Sequence, residues 1–322
     1  MSDLSAIKSL EHYINQRILG QERLVTRLLV ALLADGHLLV EGAPGLAKTS
    51  AVKVLAYGIE GDFHRIQFTP DLLPADLTGT EVFRPQDGSF SFQKGPVFHN
   101  FVLADEINRS PAKVQSALLE AMAERQVTIG RTTYPLDDLF LVMATQNPIE
   151  QEGTYPLPEA QRDRFLLHVR VDYPTPDNEQ RILRLVREQM REGKSLEEYA
   201  GEKVSRTTIL SARKAVLSLH MVDELEQYMV QLVAATRNPG LYDRELENMI
   251  AYGASPRGTI ALDLASRAYA WLDGRDYVSP GDIHAIAADV LRHRILLGYE
   301  AEADGVTTDE VIRRLISLVP VP

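Results

Sequence analysis

Residues 42–49 have the composition and order of a phosphate-binding loop. Small residues allow backbone N–H groups to converge on phosphate oxygens where a helix begins, and the side chain of Lys48 is suited to reach the β and γ phosphates. The hydroxyl group of Thr49 is suited to hold Mg²⁺. The segment therefore predicts a nucleotide site, whose candidate binding residues are Gly42, Ala43, Pro44, Gly45, Leu46, Ala47, Lys48, Thr49 and Ser50.

Ala47 departs from the strict loop pattern, which has glycine immediately before the lysine. An alanine is strained at a positive φ, so we expect this position to weaken or reshape the cradle. A glycine- and proline-rich turn between a strand and a helix is the alternative interpretation. The apolar run before the loop and the helical pattern after it favour the cradle.

Two adjacent carboxylates, Asp105 and Glu106, follow an apolar run at 101–104. Open α/β sheets bind ligands at the carboxyl ends of their strands, where these side chains would emerge. Asp105 is suited to hold Mg²⁺ through water, and Glu106 to orient the water that attacks a γ-phosphate. A solvated acidic pair at a strand end is the alternative, which the nearby phosphate loop disfavours.

A further apolar run, at 139–144, is followed by Asn147. We expect its amide group at the same sheet edge, where it would sense the γ-phosphate or hold the attacking water. The dipeptide Asn147-Pro148 is equally typical of an ordinary turn, so both interpretations stay open.

Three arginines are candidates for stabilising negative charge. Arg162 and Arg164 lie on a predicted short helix before the last apolar run, and an arginine supplied by a neighbouring subunit can stabilise transition-state charge. Arg257 falls in the first turn of a predicted helix, where the helix dipole disfavours a cation. We therefore expect Arg257 to face phosphate and to close the helical part of the chain over the nucleotide. Solvated arginines are the alternative.

The elements that must position these residues alternate in the first half of the chain. Near-continuous apolar runs of strand length alternate with helical patterns, which predicts an α/β domain with a parallel sheet between helices. Two stretches, at about 81–94 and 126–136, have the pattern of β-hairpins inserted in this core. After residue 176 the strand pattern ends and helical periodicity continues to the C-terminus. We predict a nucleotide-binding core at 1–176 and an all-helical domain at 177–322.

Composition limits the classes of function. The chain has 322 residues, no cysteine and a formal net charge of −11, which excludes disulfides and disfavours binding to nucleic acid or to anionic membranes. Its apolar runs are too short to span a bilayer, and its first residues lack the pattern of a signal peptide. We expect a cytoplasmic protein that does not insert into membranes.

Taken together, these motifs resemble those of the MoxR-type AAA+ ATPases, the clade with helix-2 and pre-sensor-1 inserts. The resemblance covers nearly the whole chain and rests on residues 18–21, 42–49, 105–111, 113–115, 118–122, 144–148, 163–165 and 253–257. The family also has alanine in the position of Ala47, which supports the phosphate loop.

The resemblance implies a P-loop AAA+ core followed by a helical lid, with ATP and Mg²⁺ as ligands. It implies that residues 42–50 are Walker A and that Asp105 and Glu106 are Walker B. The remaining implied roles are sensor 1 for Asn147, arginine finger for Arg164, sensor 2 for Arg257, and adenine contacts for Ile18 and Leu19. Arg162 leaves the choice of finger open.

The family implies a ring, usually a hexamer, that acts as a chaperone-like remodeller with a von Willebrand factor A domain protein. Three alternative functions remain. A magnesium-chelatase ATPase subunit shares the clade, a DNA motor is disfavoured by the negative charge, and a nucleotide-gated scaffold with little turnover is disfavoured by Glu106.

Overall fold

The computed structural model describes residues 2–86, 88–148, 153–193 and 202–322. Its strands are β1 (Leu38–Gly42), β2 (Phe63–Gln67), β3 (Gly79–Arg84), β4 (Ser89–Lys94), β5 (Phe101–Asp105), β6 (Gln126–Ile129), β7 (Thr132–Pro135), β8 (Leu141–Gln146), β9 (Leu167–Val171), β10 (Ile250–Tyr252) and β11 (Leu296–Leu297). Its α-helices are α1 (Asp3–Asn15), α2 (Glu22–Leu33), α3 (Lys48–Tyr57), α4 (Pro74–Thr78), α5 (Ala112–Glu124), α6 (Glu159–Arg162), α7 (Pro176–Glu192), α8 (Arg206–Leu217), α9 (Asp223–Arg237), α10 (Arg244–Met249), α11 (Pro256–Leu272), α12 (Pro280–Leu291), α13 (Tyr299–Ala303) and α14 (Thr308–Leu318).

A five-stranded sheet in the order β2-β5-β8-β1-β9 forms the centre of the first half of the chain. Every neighbouring pair in it is parallel. Parallel strands need crossover connections, which the helices between them provide. The predicted α/β class is confirmed. The carboxyl ends of all five strands lie at one edge of the sheet, so the residues that follow β1, β5 and β8 come together there.

The inner strands β1, β5 and β8 are buried on both faces, which fits their nearly continuous apolar runs, whereas the edge strand β2 is largely half-buried or exposed. Along β1, Leu38 and Val40 face a core that continues into the C-terminal helices, where it includes Ile283. The intervening Leu39 faces the opposite side and packs in a second core with Val102 of β5 and residues of α5. The alternation follows from the two-residue period of a strand.

Two antiparallel hairpins occupy the regions where the sequence predicted insertions. Strand β3 pairs with β4 from Gly79 opposite Lys94 onward, and β6 pairs with β7. The hairpins contact each other, because the ring of Phe92 on β4 stacks on Tyr134 of β7 with the centroids 4.2 Å apart.

Helices dominate the chain beyond residue 176. Helix α11 has Ser255 as its N-cap, and α12 has the capping box between Ser279 and Asp282 that the sequence predicts. A short antiparallel ladder of β10 and β11 accompanies the helices and was not predicted, because two or three residues carry no readable strand period. The domain boundary at 176 and 177 stays a prediction. No helix in the described ranges is long and apolar enough to cross a membrane.

Candidate active site

The predicted phosphate loop connects the end of β1 to the start of α3, which begins at Lys48. The first-turn N–H groups of a helix have no partners within it, so they are available to an anion. Gly42 permits a close backbone approach, because a Cβ atom there would lie 2.7 Å from the carbonyl oxygen of Val171. Ala47 has a φ of 58°, the left-handed conformation that we expected to be strained for alanine.

Lys48 lies beneath the loop and is 9% exposed. Its Nζ donates to the carbonyl oxygens of Gly42 and Gln146, which keeps the ammonium group at the strand ends. Burial lowers the pKa of Lys48, and the carboxylates of Asp105 and Glu106 oppose that shift. The arrangement places one cation among acids, where phosphate oxygens would give it further partners.

Asp105, the last residue of β5, has both carboxylate oxygens engaged. The hydroxyl group of Thr145 donates to Oδ1 at 2.6 Å. The Nη2 of Arg65, on β2, donates to Oδ2 at 2.7 Å. Neither Thr145 nor Arg65 is predicted from the sequence to belong to the site, since only the pairing of β2, β5 and β8 brings them to Asp105.

Glu106 follows β5 in a left-handed conformation with a φ of 55°. Its Oε2 accepts a hydrogen bond of 2.8 Å from Gln67 Nε2 and lies 3.0 Å from Arg109 Nε. Its backbone N–H donates to Thr145 Oγ1 at 2.9 Å. Gln67 is also not predicted from the sequence to belong to the site. The signal in the sequence that could have identified it is its position as the polar last residue of a predicted strand. In the structure it pairs with Asp105 in the register of β2 and β5.

The predicted phosphate and metal residues, except Gly42 and Ala43, come together around one cleft of about 450 Å³. It is lined by Pro44, Gly45, Leu46, Ala47, Lys48, Thr49, Ser50, Arg65, Gln67, Asp105, Glu106 and Asn147. The donor set suits a magnesium–triphosphate ligand, since an ammonium group and helix N–H groups bind phosphate while hydroxyl and carboxylate oxygens bind Mg²⁺.

A second, more apolar pocket adjoins this cleft. Ile18 and Leu19 line it together with Leu46 of the loop, and Ile182 and Leu185 of α7 close its other side. Apolar walls beside a phosphate cradle suit a nucleotide base. The structure therefore brings Ile18 and Leu19 to the phosphate loop, with α7 as the part of the helical region that faces the nucleotide position.

Arg164 lies near the amino-terminal ends of the parallel strands, whereas the phosphate loop lies at their carboxyl ends. It follows α6, which ends at Arg162, and precedes β9, whose carboxyl end pairs with Gly42. The five residues of β9 span about 16 Å, which an arginine side chain cannot bridge. In this chain Arg164 Nη1 donates to the carbonyl oxygen of Leu119 at 2.6 Å.

Arg257 also lies away from the phosphate loop of its own chain. It is an exposed residue in the first turn of α11, as predicted, and its N–H donates to the N-cap oxygen of Ser255 at 3.2 Å. That cap contacts Asp163, at the edge where Arg164 lies. The contact with Asp163 holds the start of α11 at the other end of β9 from the phosphate loop, and the closure of the helical part over the nucleotide by Arg257 stays a prediction.

Fold and cleft together define a P-loop nucleotide-binding protein with a helical lid. The profile described as "ATPase family associated with various cellular activities (AAA)" matches residues 37–167. The profile "AAA lid domain" matches residues 244–315.

Similar proteins indicate which family within this class the chain belongs to. Chaperone MoxR1 of Mycobacterium tuberculosis is 46% identical over 96% of this chain and 80% of its own length. Protein MoxR of Methylorubrum extorquens is 33% identical over 97% of this chain and 94% of its own. The crystal structure of a protein from Cytophaga hutchinsonii superposes on this chain with a TM-score of 0.90, covering 99% of this chain and 96% of that one, and the two sequences are 48% identical. This chain belongs to the MoxR family of AAA+ ATPases, which confirms the resemblance.

Similarity to the magnesium chelatases is more distant. The subunit ChlI of Nicotiana tabacum is 28% identical over 72% of this chain and 50% of its own length. The chain is accordingly an ATPase of the MoxR type, and the chelatase alternative has weaker support.

Proposed function

We propose that the chain hydrolyses ATP in the cleft with Mg²⁺, and that its subunits assemble into a ring in which each site is completed by the neighbouring subunit. The observation that carries this proposal is the separation of Arg164 from the phosphate loop along β9. An arginine at the far edge of the sheet serves phosphate only if a second copy brings its own cleft there.

Within the cleft, Lys48 and the free N–H groups of α3 bind the β and γ phosphates. Thr49 and Asp105 would hold Mg²⁺, which when bound supplies positive charge against the phosphate oxygens. Glu106 orients the attacking water and accepts its proton, and Gln67 holds the Glu106 carboxylate in place. Asn147 lines the same cleft, and we assign it to contact the γ-phosphate or that water.

From the neighbouring subunit, Arg164 meets the γ-phosphate and stabilises the charge that develops during transfer. Arg257 shares its edge of the sheet, and we assign it to the same junction. Membership of the family supports a hexamer as the size of the ring.

The test mixes two inactive variants. Arg164→Ala subunits keep an intact cleft, whereas Lys48→Ala subunits keep an intact arginine. An arginine finger contributes about 10³ to 10⁵ in rate, so each variant alone should be nearly inactive. Mixed rings should recover part of the phosphate release at junctions between the two, while Arg162→Ala alone should lose less activity than Arg164→Ala. Turnover that stays proportional to protein at dilutions where only monomers remain would contradict the ring.

We propose that the free energy of ATP hydrolysis drives chaperone-like remodelling of protein complexes in the cytoplasm. The name of the mycobacterial relative supports the chaperone role, and the family resemblance supports a von Willebrand factor A domain protein as partner. An ATP-locked Glu106→Gln variant used as bait should retain such a partner, with Lys48→Ala as the control that cannot load ATP. Recovery of nucleic acid alone would overturn this part.

A further inference from the structure

Arg294, just beyond α12, anchors the chain segment that carries Arg164. Its Nε donates to Asp163 Oδ1 at 2.8 Å, and its Nη2 donates to the carbonyl oxygen of Phe165 at 2.7 Å. The Arg294 side chain is only 3% exposed and that of Asp163 18%. Arg164 therefore lies between two residues that are both fixed by one buried guanidinium group from the helical region.

The other oxygen of Asp163 makes a second connection. Its Oδ2 accepts a hydrogen bond of 2.8 Å from Ser255 Oγ. The same Ser255 oxygen accepts the N–H of Arg257 at 3.2 Å. One carboxylate thus joins the backbone next to Arg164 to the first turn of the helix that carries Arg257.

We propose that Asp163 is a positioning residue that holds Arg164 and Arg257 in one arrangement toward the nucleotide bound by the neighbouring subunit. The inference rests on the proposed trans function of Arg164. Asp163 connects the two backbone segments that carry these arginines, the turn after α6 and the first turn of α11. Hydrogen bonds to a charged carboxylate are stronger than neutral ones, and a displacement of about 1 Å can cost 10²-fold in rate.

A positioning role and a purely structural role for Asp163 predict loss of function in different subunits. If Asp163 positions the two arginines, its loss impairs the neighbour's cleft and leaves the cleft of its own chain intact. A structural role would instead lower the stability and the ATP affinity of the altered subunit itself.

The experiment uses Asp163→Asn in the full chain. The amide keeps the size of the side chain and an oxygen for Ser255, but it removes the charge that faces Arg294. We expect turnover to fall about 100-fold with ATP binding and assembly unchanged. Mixing with Lys48→Ala subunits, which keep Asp163, should restore part of the activity. Normal turnover in the variant, or no recovery in mixtures, would overturn the proposal.

Ser255→Ala provides the second variant and decides the question if Asp163→Asn does not assemble. It removes the hydrogen bond to Asp163 together with the N-cap of α11 and leaves the ion pair of Asp163 with Arg294 in place, so we expect a smaller loss, about 10-fold, again restored by Lys48→Ala subunits. Ser255→Thr keeps the hydroxyl group and should retain nearly normal turnover. Equal activity of Ser255→Ala and Ser255→Thr would count against the proposal.

Arg164→Ala in the same mixtures distinguishes failure of the proposed trans function of Arg164 from failure of the positioning role of Asp163. If Arg164→Ala is not restored by Lys48→Ala subunits, the proposed trans function fails. If Arg164→Ala is restored but Asp163→Asn and Ser255→Ala are not, only the positioning role of Asp163 fails.

Discussion

The hydroxyl group of Thr145 on β8 donates a hydrogen bond of 2.6 Å to Oδ1 of Asp105 on the neighbouring strand β5. Thr145 Oγ1 also accepts a hydrogen bond of 2.9 Å from the backbone N–H of Glu106. A single hydroxyl group therefore orients the carboxylate proposed for Mg²⁺ and the backbone of the residue proposed to activate water.

We predict that Thr145→Val lowers turnover about 10-fold and raises the Mg²⁺ concentration needed for half-maximal activity. Valine has the shape of threonine but leaves Asp105 Oδ1 and the Glu106 N–H without this partner, which costs about 1–3 kcal/mol for a buried group. Thr145→Ser keeps the hydroxyl group and should stay close to normal. Phosphate release against Mg²⁺ concentration measures both, and equal curves for the two variants would contradict the role of the hydroxyl.

Substitutions of Lys48 and Glu106 should affect different steps, ATP binding and ATP hydrolysis respectively. Lys48→Ala removes the cation beneath the phosphates, so it should abolish ATP binding. Glu106→Gln keeps a polar side chain but cannot accept a proton, so it should bind ATP and lose about 10² to 10⁴ in turnover. Equilibrium nucleotide binding and single-turnover hydrolysis test the pair. Unchanged turnover in both variants would refute the assignment of this cleft as the site of hydrolysis.

Arg257 should act on the neighbour's nucleotide. We predict that Arg257→Ala lowers turnover at least 10-fold with ATP affinity preserved, and that Lys48→Ala subunits restore part of it, as expected for a residue at a subunit junction. Arg313→Ala, at an exposed position on α14, is the matched control and should leave turnover unchanged. A loss of ATP affinity in Arg257→Ala that mixing does not restore would instead assign Arg257 to its own cleft.

His37 should make stability depend on pH. Burial, together with the nearby Arg125, lowers the pKa of His37 from 6.5 to about 3. The unfolded chain therefore binds a proton below pH 6.5 that the folded chain does not bind until pH approaches 3, and stability is lost as the pH falls through this window. Between pH 7 and pH 5 this single group should remove about 2 kcal/mol from the free energy of unfolding.

Urea unfolding at both pH values measures this effect. His37→Gln removes the titrating group, so its loss of stability between the two pH values should be smaller by about 2 kcal/mol, whatever its stability at pH 7. His220→Gln, at an exposed histidine, should behave like the unaltered chain. The same pH dependence in all three proteins would show that His37 does not set the slope.

The sequence by itself determined the features that are continuous along the chain. The phosphate loop, the acidic pair at the end of β5 and the N-cap at Ser255 each occupy a few neighbouring residues. Their functional groups are neighbours along the chain and so remain close together in the folded structure, although the left-handed backbone at Ala47 and Glu106 is not one that these residue types favour. The parallel sheet followed from apolar runs too continuous for a half-exposed strand.

Only the tertiary structure decided which residues from different strands share the cleft and which lie apart from it. Arg65, Gln67 and Thr145 join Asp105 and Glu106 because β2, β5 and β8 are neighbours, an order set by packing of the whole sheet rather than by any local pattern. Ser255, at the start of α11, lies against Asp163 for the same reason, since this contact joins residues about ninety positions apart in the chain. Such pairings depend on the free energy of the assembled core, which local periodicity does not encode.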